Sequence, residues 1–361
     1  MIVSYLIIFT DGIWPFLIIG AVIIGVVFYV INTMIKSFGI AKPHKKHSYS
    51  KIRKTMVSNK FKEIYEYIEK EYANNLEKNR KKLIKSIIIC LILFIIAFVL
   101  LLYLKIMFDT NPNTKDTILG LLFIPLVIYY LYKYKKYNNE YVQNYKDKVI
   151  KNFVEHINHN LNYNKIGRKG IIKLYQEANF KDKQFNSFFI DDYINGYNED
   201  GTSIEMCNIA LENVNEKGEF LNLIYEGIFS ITQLNNYIPE EIRIKKNQYI
   251  IQNNCNKIEM DSKEFEKYFD VYSNSDIITM EILTHDIMEE LVQFYDKYKI
   301  KFEIVIKNYN IYIRFDTGAV FEPNILRKSN DINTLWIYYN ILNFVTSFTI
   351  KINKLIKNIE V

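Results

Sequence analysis

The first constraint on this chain is a pair of long runs without one charged residue. Gly12 to Ile35 (GIWPFLIIGAVIIGVVFYVINTMI) and Ser86 to Leu104 (SIIICLILFIIAFVLLLYL) each supply the roughly 20 apolar residues that carry a helix across a hydrocarbon core. No water is present inside such a core to satisfy an open backbone, so a helix is the conformation these runs allow there. A third run, Thr117 to Tyr132 (TILGLLFIPLVIYYLY), has 16 uncharged residues and contains Pro125. It crosses if Tyr129, Tyr130 and Tyr132 sit at the interface and Lys133 extends out of it.

Charge sets the orientation of these runs. Residues 36–85 hold fifteen Lys/Arg against five Asp/Glu, a net +10, while residues 138–361 hold 26 against 32, a net −6. Lysine-rich loops stay cytosolic, which puts loop 36–85 inside and the N-terminus outside. No basic residue precedes the first run, so it does not read as a cleaved signal peptide. Lys105 to Asp116 is neutral, as an exterior hairpin would be, and Lys133, Lys135 and Lys136 mark the return to the cytosol. The expectation is a membrane segment, 1–136, with spans near 12–35, 86–104 and 117–132, followed by a cytoplasmic domain, 137–361. Because the positive charge is local to one loop, it points to the lipid bilayer and its anionic headgroups, and away from nucleic acid. Three cysteines, Cys90, Cys207 and Cys255, make no disulfide framework and fit a reducing compartment.

Within the basic loop, Ile52, Met56, Ile64, Ile68, Tyr72, Leu76 and Leu83 recur mostly at spacings of four, which predicts a helix running on toward the second span. Two readings of its charged face stay open: a lever that touches anionic lipid, or a solvated surface with no role beyond topology. Tyr141, Tyr145, Val149, Phe153 and Ile157 predict another helix leaving the membrane over 138–163. NEDG at Asn198 to Gly201 predicts a turn between strand candidates, and Leu223 to Thr232 a strand after them. Asp261 and Glu264 form a capping-box pattern. Ile278, Met280 and Ile282 alternate as a strand; Thr284 caps a helix faced by Ile287, Leu291, Phe294, Tyr295 and Tyr298; Phe302 to Ile306 and Ile311 to Phe315 read as two strands around a turn at Asn308 to Asn310. A final helix spans Asp331 to Asn358, with Leu335, Tyr338, Leu342, Val345, Thr349, Ile352, Ile356 and Ile359 either packing on the domain's own sheet or forming a self-association seam in a homo-oligomer. A third option, membrane contact of 334–350, is opposed by Asn340, Asn343, Thr346, Ser347 and Thr349. The fold class expected is α+β: N-terminal transmembrane helices, then a cytosolic domain with a mainly antiparallel sheet, covering helices and a long C-terminal helix.

Five words in this domain, YEGIF (Tyr225 to Phe229), FEKYFDVYSNSD (Phe265 to Asp276), ILTHDIMEELVQF (Ile282 to Phe294), NIYIRF (Asn310 to Phe315) and VFEP (Val320 to Pro323), resemble in order and spacing a family of bacterial integral membrane proteins, domain of unknown function 3137. The resemblance implies coverage of most of Tyr137 to Ile359 and a bacterial inner or plasma membrane. It carries no catalytic residue with it, because that family has no established activity.

Motifs for phosphate, zinc, hydrolase and dinucleotide chemistry do not occur, and GRKG at Gly167 to Gly170 reads as a turn before a helix. No catalytic or cofactor-binding residue and no cofactor is assigned. The metal candidate is Glu155, His156 and His159, whose imidazoles fall on one helical face, against the plainer reading of a polar helix surface. His44 and His47 are a histidine pair flanked by lysines, and His285 with Asp286 is a dyad candidate whose acid is equally explained by the helix dipole. Asp191, Asp192, Glu199 and Asp200 read as a solvated acidic loop without calcium-loop spacing. The function expected is therefore a non-catalytic membrane-tethered binding or scaffolding module with an unidentified cytosolic or membrane protein as partner. An oligomeric transport or remodelling protein and a membrane-anchored enzyme around His156 and His159 are the alternatives.

Overall fold

The computed structural model describes residues 58–107, 115–180, 182–246, 255–323, 325 and 331–357. The run 12–35, residues 36–57 of the basic loop, and with them His44 and His47, lie outside the described residues, as does Ile359. The chain divides into two compact units, here unit 1 (Met1–Pro43, Ala73–Tyr145, Pro323–Ser329) and unit 2 (His44–Tyr72, Lys146–Glu322, Asn330–Val361).

Unit 1 is built on helices α2 (Asn74–Met107) and α3 (Lys115–Tyr145), which pack against each other. Both apolar runs lie on this helical backbone, 86–104 within α2 and 117–132 within α3. At about 1.5 Å per residue the 19-residue run is about 29 Å long, close to a hydrocarbon core. Counting only residues whose side chains are described, no helix is long and apolar enough to cross a membrane. Those described on the runs include Ile88, Ile92, Ile95, Ile96 and Ile128, each at least half exposed. Arg80 makes a bidentate pair with Glu77, at 2.8 and 2.6 Å, and donates to the Ile325 carbonyl at 2.8 Å.

Unit 2 is a mixed helix and antiparallel-sheet fold, as expected of the α+β class. Its strands are β1 (Leu161–Ile166), β2 (Ser187–Tyr197), β3 (Ser203–Val214), β4 (Phe220–Lys246), β5 (Asn256–Ile258), β6 (Phe269–Ser273) and β7 (Phe302–Phe315). The order is β1-β2-β3-β4-β6-β5, with β7 on the other edge of β4. One strand of 27 residues thus organises the sheet: β4 pairs with β3 over its first half, β6 at its end, and β7 from Ile228 to Ile244. Gly227 is needed because a Cβ there would overlap the Phe315 carbonyl oxygen of β7 and the Tyr225 hydroxyl.

The helices of unit 2 are α1 (Asn59–Ile68), α4 (Lys151–Ile157), α5 (Ile171–Ala178), α6 (Lys263–Glu266), α7 (Asp276–Ile282), α8 (His285–Tyr298) and α9 (Ile332–Ile356). Ile171, Tyr175 and Ala178 of α5 cover one sheet face, over Cys207, Ile209, Leu211, Phe229 and Tyr312. On the other face Phe294 of α8 and Phe344 of α9, 4.2 Å apart between ring centroids, meet Phe302 and Phe315. Every heptad residue from Leu335 to Ile356 is buried in this unit. The polar residues of α9 have partners there too: Asn353 donates to Asp200 at 2.8 Å and accepts from the Asn235 backbone, while Thr349 accepts from Asn198.

Several local expectations need correction. Asp276 to Ile282 is a helix, not a strand, opened by Ser275, whose side chain accepts from the Ile278 backbone N–H. The cap of α6 is Ser262, not Asp261, and Glu266 accepts from the Met260 N–H. No hairpin turn occurs at Asn308: β7 continues through it with one left-handed residue (φ 54°) because both halves pair with the same strand, β4. The helix predicted over 138–163 ends at Ile157 after a π-helical turn, Lys146–Ile150, and Tyr163 belongs to β1. A second π-helical turn, Glu69–Ala73, interrupts the helix of the basic loop before α2.

Candidate functional site

The most unusual chemistry in unit 2 begins at Lys146, the first residue of the π-helical turn Lys146–Ile150. Such turns insert one residue into a helix and re-aim its side chains. Lys146 is turned inward, with only 7% of its side chain exposed, and its Nζ lies 2.9 Å from Asp192 Oδ2, 3.4 Å from Asp191 Oδ2 and 2.5 Å from Glu322 Oε1. Asp191 and Asp192 are adjacent on β2, where side chains would ordinarily point to opposite faces. A register shift between Asp191 and Ile194, with Asp192 in the left-handed region (φ 51°), brings both carboxylates to one ammonium. Two further donors complete the shell: the Tyr163 hydroxyl of β1 donates to Asp192 Oδ1, and Asn208 Nδ2 of β3 donates to Asp191 Oδ1 at 3.1 Å.

Asp192 is fully buried. Burial and the neighbouring Asp191 push its carboxyl up to about 7, against the opposing pull of Lys146 and the Tyr163 hydrogen bond. Glu322 is also raised by burial, with Lys146 opposing. Burial works against the Lys146 ammonium, but Glu322, Asp192 and Asp191 outweigh it and hold its pKa above the ordinary lysine value. Asp191, Asp192 and Glu322 are the set of three potential metal ligands found to converge among the described residues, within 4.8 Å of one another. Lys146 Nζ already stands at their point of convergence, so the cation this site holds is the protein's own ammonium.

The acidic cluster read as one solvated loop is therefore two different things. Asp191, 43% exposed, and the buried Asp192 are strand residues that share the Lys146 ammonium, whereas Asp200 bonds Thr202 and Asn353 at the β2–β3 turn and Glu199 is exposed. The histidine candidate sits on α4 and after it. His156 Nδ1 donates to the Asn152 carbonyl at 2.7 Å and its ring stacks on Tyr67 at 4.4 Å, with the His159 ring 6.3 Å away. Glu155 lies 3.9 Å from Lys151. His285 and Asp286 are both exposed in the first turn of α8. Lys146, Tyr163, Asn208 and Glu322 were not singled out by sequence reasoning. The available signals were the acidic doublet inside FFIDDYI and the glutamate of VFEP.

A second buried network joins α5 to the sheet. Arg314 of β7 pairs with Asp182 and Glu303, each at 2.6 Å, donates to Tyr175 Oη at 2.7 Å and stacks on Phe180 at 4.5 Å. Lys245 reaches Glu303 from β4 at 3.1 Å. Arg243 donates to the Ala178 and Asn179 carbonyls at the C-terminal end of α5, where a cation complements the helix dipole.

Residues 223–354 match the family described as "Protein of unknown function (DUF3137)", and all five words quoted above fall inside that span. The match does not extend back to Tyr137. The crystal structure of the mycobacterial trehalose monomycolate transport factor A, TtfA, is similar over 56% of this chain and 93% of that one, at 7% identity and a TM-score of 0.31, too low to carry fold or role across. No curated protein matches the chain.

Proposed function

We propose that this protein is a membrane-tethered, non-catalytic binding module of the bacterial plasma membrane, with unit 2 on the cytosolic side holding a protein partner. The observation that carries the reading is that α2 and α3, at 34 and 31 residues, each fuse an apolar run to a charged helical stretch. Ile92, Ile95 and Ile96 are between 50% and 60% exposed, which is costly in water at about 25 cal/mol per Å² and neutral in lipid. Lys133 lies over the Tyr129 ring at 4.6 Å, an arrangement suited to a headgroup region. The lysine excess of residues 36–85 supports the inward orientation.

Carbonate washing of membranes from cells expressing the full chain tests the anchor. Wild-type protein should remain in the pellet, and I92K/I96K should leave it or be degraded, since a lysine near the bilayer centre costs about 2.5–3.5 kcal/mol. Wild-type protein in the wash would end the proposal. Gentle solubilisation followed by crosslinking should then return one reproducible heterologous partner; recovery of self-oligomers alone would favour the transport or remodelling alternative.

A further inference from the structure

Lys146 faces more negative charge than it can balance. The groups around it come from every element packed on the site: Tyr163 from β1, Asp191 and Asp192 from β2, Asn208 from β3, and Glu322 from the segment after β7. Asp147, next in the π-helical turn, is occupied by Lys165 at 2.9 Å. On β3 the buried Cys207 thiol is pushed up by burial and by Asp191, Glu205 and Asp192, and Glu205 itself is paired with Arg168 at 2.9 Å. One ammonium against three carboxylates leaves two negative charges when all are ionised. A low-dielectric site of that kind takes up a proton.

The partners differ in freedom to leave. Asp192 is fixed by the sheet, by its left-handed backbone and by Tyr163, while Glu322 has 37% of its side chain exposed and lies outside regular structure. Lys146 and Glu322 are also the first and last residues of the longest segment of unit 2. We propose that the Lys146–Asp191–Asp192–Glu322 cluster is a proton-operated latch: protonated, it clamps the Glu322 segment to β2, and deprotonated, it releases that segment to solvent. The inference goes beyond the tether reading and does not depend on it.

Hydrogen exchange of the full-length protein in detergent, at pH 6 and pH 8 and corrected for the intrinsic rate, reads the latch directly. For a proton bound near neutral pH in the closed state and released in the open one, protection of a peptide covering 316–323 should fall about tenfold between the two pH values. Peptides of β4 and β7 should not change. D192N, which holds a neutral group at the same place, should abolish the pH response and keep the segment protected. E322Q serves where D192N fails to fold, and should also remove the response with the sheet intact. Equal wild-type protection at both pH values, or a tenfold response persisting in either folded variant, overturns the proposal.

Discussion

Replacing Phe61 with Ala tests whether the charged stretch beyond residue 57 is part of a folded core or a solvated surface. Phe61 is fully buried, with ring centroids 4.9 Å from Trp336, 5.3 Å from Tyr339 and 6.4 Å from Phe153. Its backbone N–H also donates to Ser58 Oγ, whose hydroxyl reaches Tyr339 at 3.2 Å. Truncating a buried phenylalanine costs about 3–5 kcal/mol, because the transfer term is joined by the cavity left behind. If α1 melts with the rest of unit 2, at about 2–4 °C per kcal/mol for a domain of this size, the midpoint falls by about 6–20 °C. If α1 can undock alone, the midpoint moves less and trypsin cuts first at Lys60, Lys62 or Lys70. Thermal unfolding with parallel limited trypsinolysis distinguishes these outcomes. K62A is the control: that side chain is 70% exposed and its pair with Glu66 at 3.8 Å is worth a few tenths of a kcal/mol at most. A Phe61→Ala protein with the wild-type midpoint and the wild-type cleavage pattern would refute the docking of α1.

Arg314→Met should destabilise unit 2 by about 3–5 kcal/mol, because it leaves Asp182 and Glu303 buried without their guanidinium; denaturant unfolding checks this, and a loss below about 1 kcal/mol would sink it. For Asp192 the sign is unusual for a carboxylate. Its folded pKa, about 7, lies above the ordinary aspartate value of 3.8, so its contribution to stability is present below about pH 4 and is lost as pH rises through 7. The full span is on the order of 4 kcal/mol. In melts from pH 5 to 8, D192N should therefore gain on wild type as pH rises, and a difference independent of pH would contradict the assignment.

The helices with long apolar periods were legible: α8 begins after Thr284 as expected, and α9 covers nearly all of the span predicted for it. The failures share a cause. Ile278, Met280 and Ile282 alternate over only three positions, whereas burial follows Thr279 and Ile282, three apart, with Ile277 74% exposed. The serine at 275, which supplies the cap, was the decisive local signal. At Asn308 the local signal was a turn, and the outcome was decided by β4, some 70 residues earlier, whose length lets it pair with both halves of β7. Strand β1 was missed, and β2 and β3 were anticipated only as strand candidates on either side of the turn at Asn198 to Gly201: the fully exposed residues of β2 are Phe188, Phe189 and Tyr197 and β3 has none, so neither strand shows a polar alternation.

The site was the least legible part, since its members stand 45, 46 and 176 positions from Lys146 and meet only through a bulge and a π-helical turn. Yet its physical character separates it from the other charged networks of unit 2. Arg314 and Lys245 face Asp182 and Glu303, two cations against two anions, and the network resembles a fastener whose charges cancel. Arg243 and Lys307 share Glu241 and direct their remaining donors to backbone carbonyls at the end of α5. These arrangements hold α5 to the sheet with their charges paired. A buried lysine facing three carboxylates, one of them fully buried, is different, because a fastener alone would be stronger with Gln in place of Glu322: the bond that Lys146 makes to Oε1 needs a single acceptor oxygen and could be made without the charge repulsion. Retaining all three acids makes the closure depend on a proton. That dependence, more than the ion pairs themselves, is what marks Lys146, Asp191, Asp192 and Glu322 as the place in unit 2 where a change in surroundings can become a change in structure.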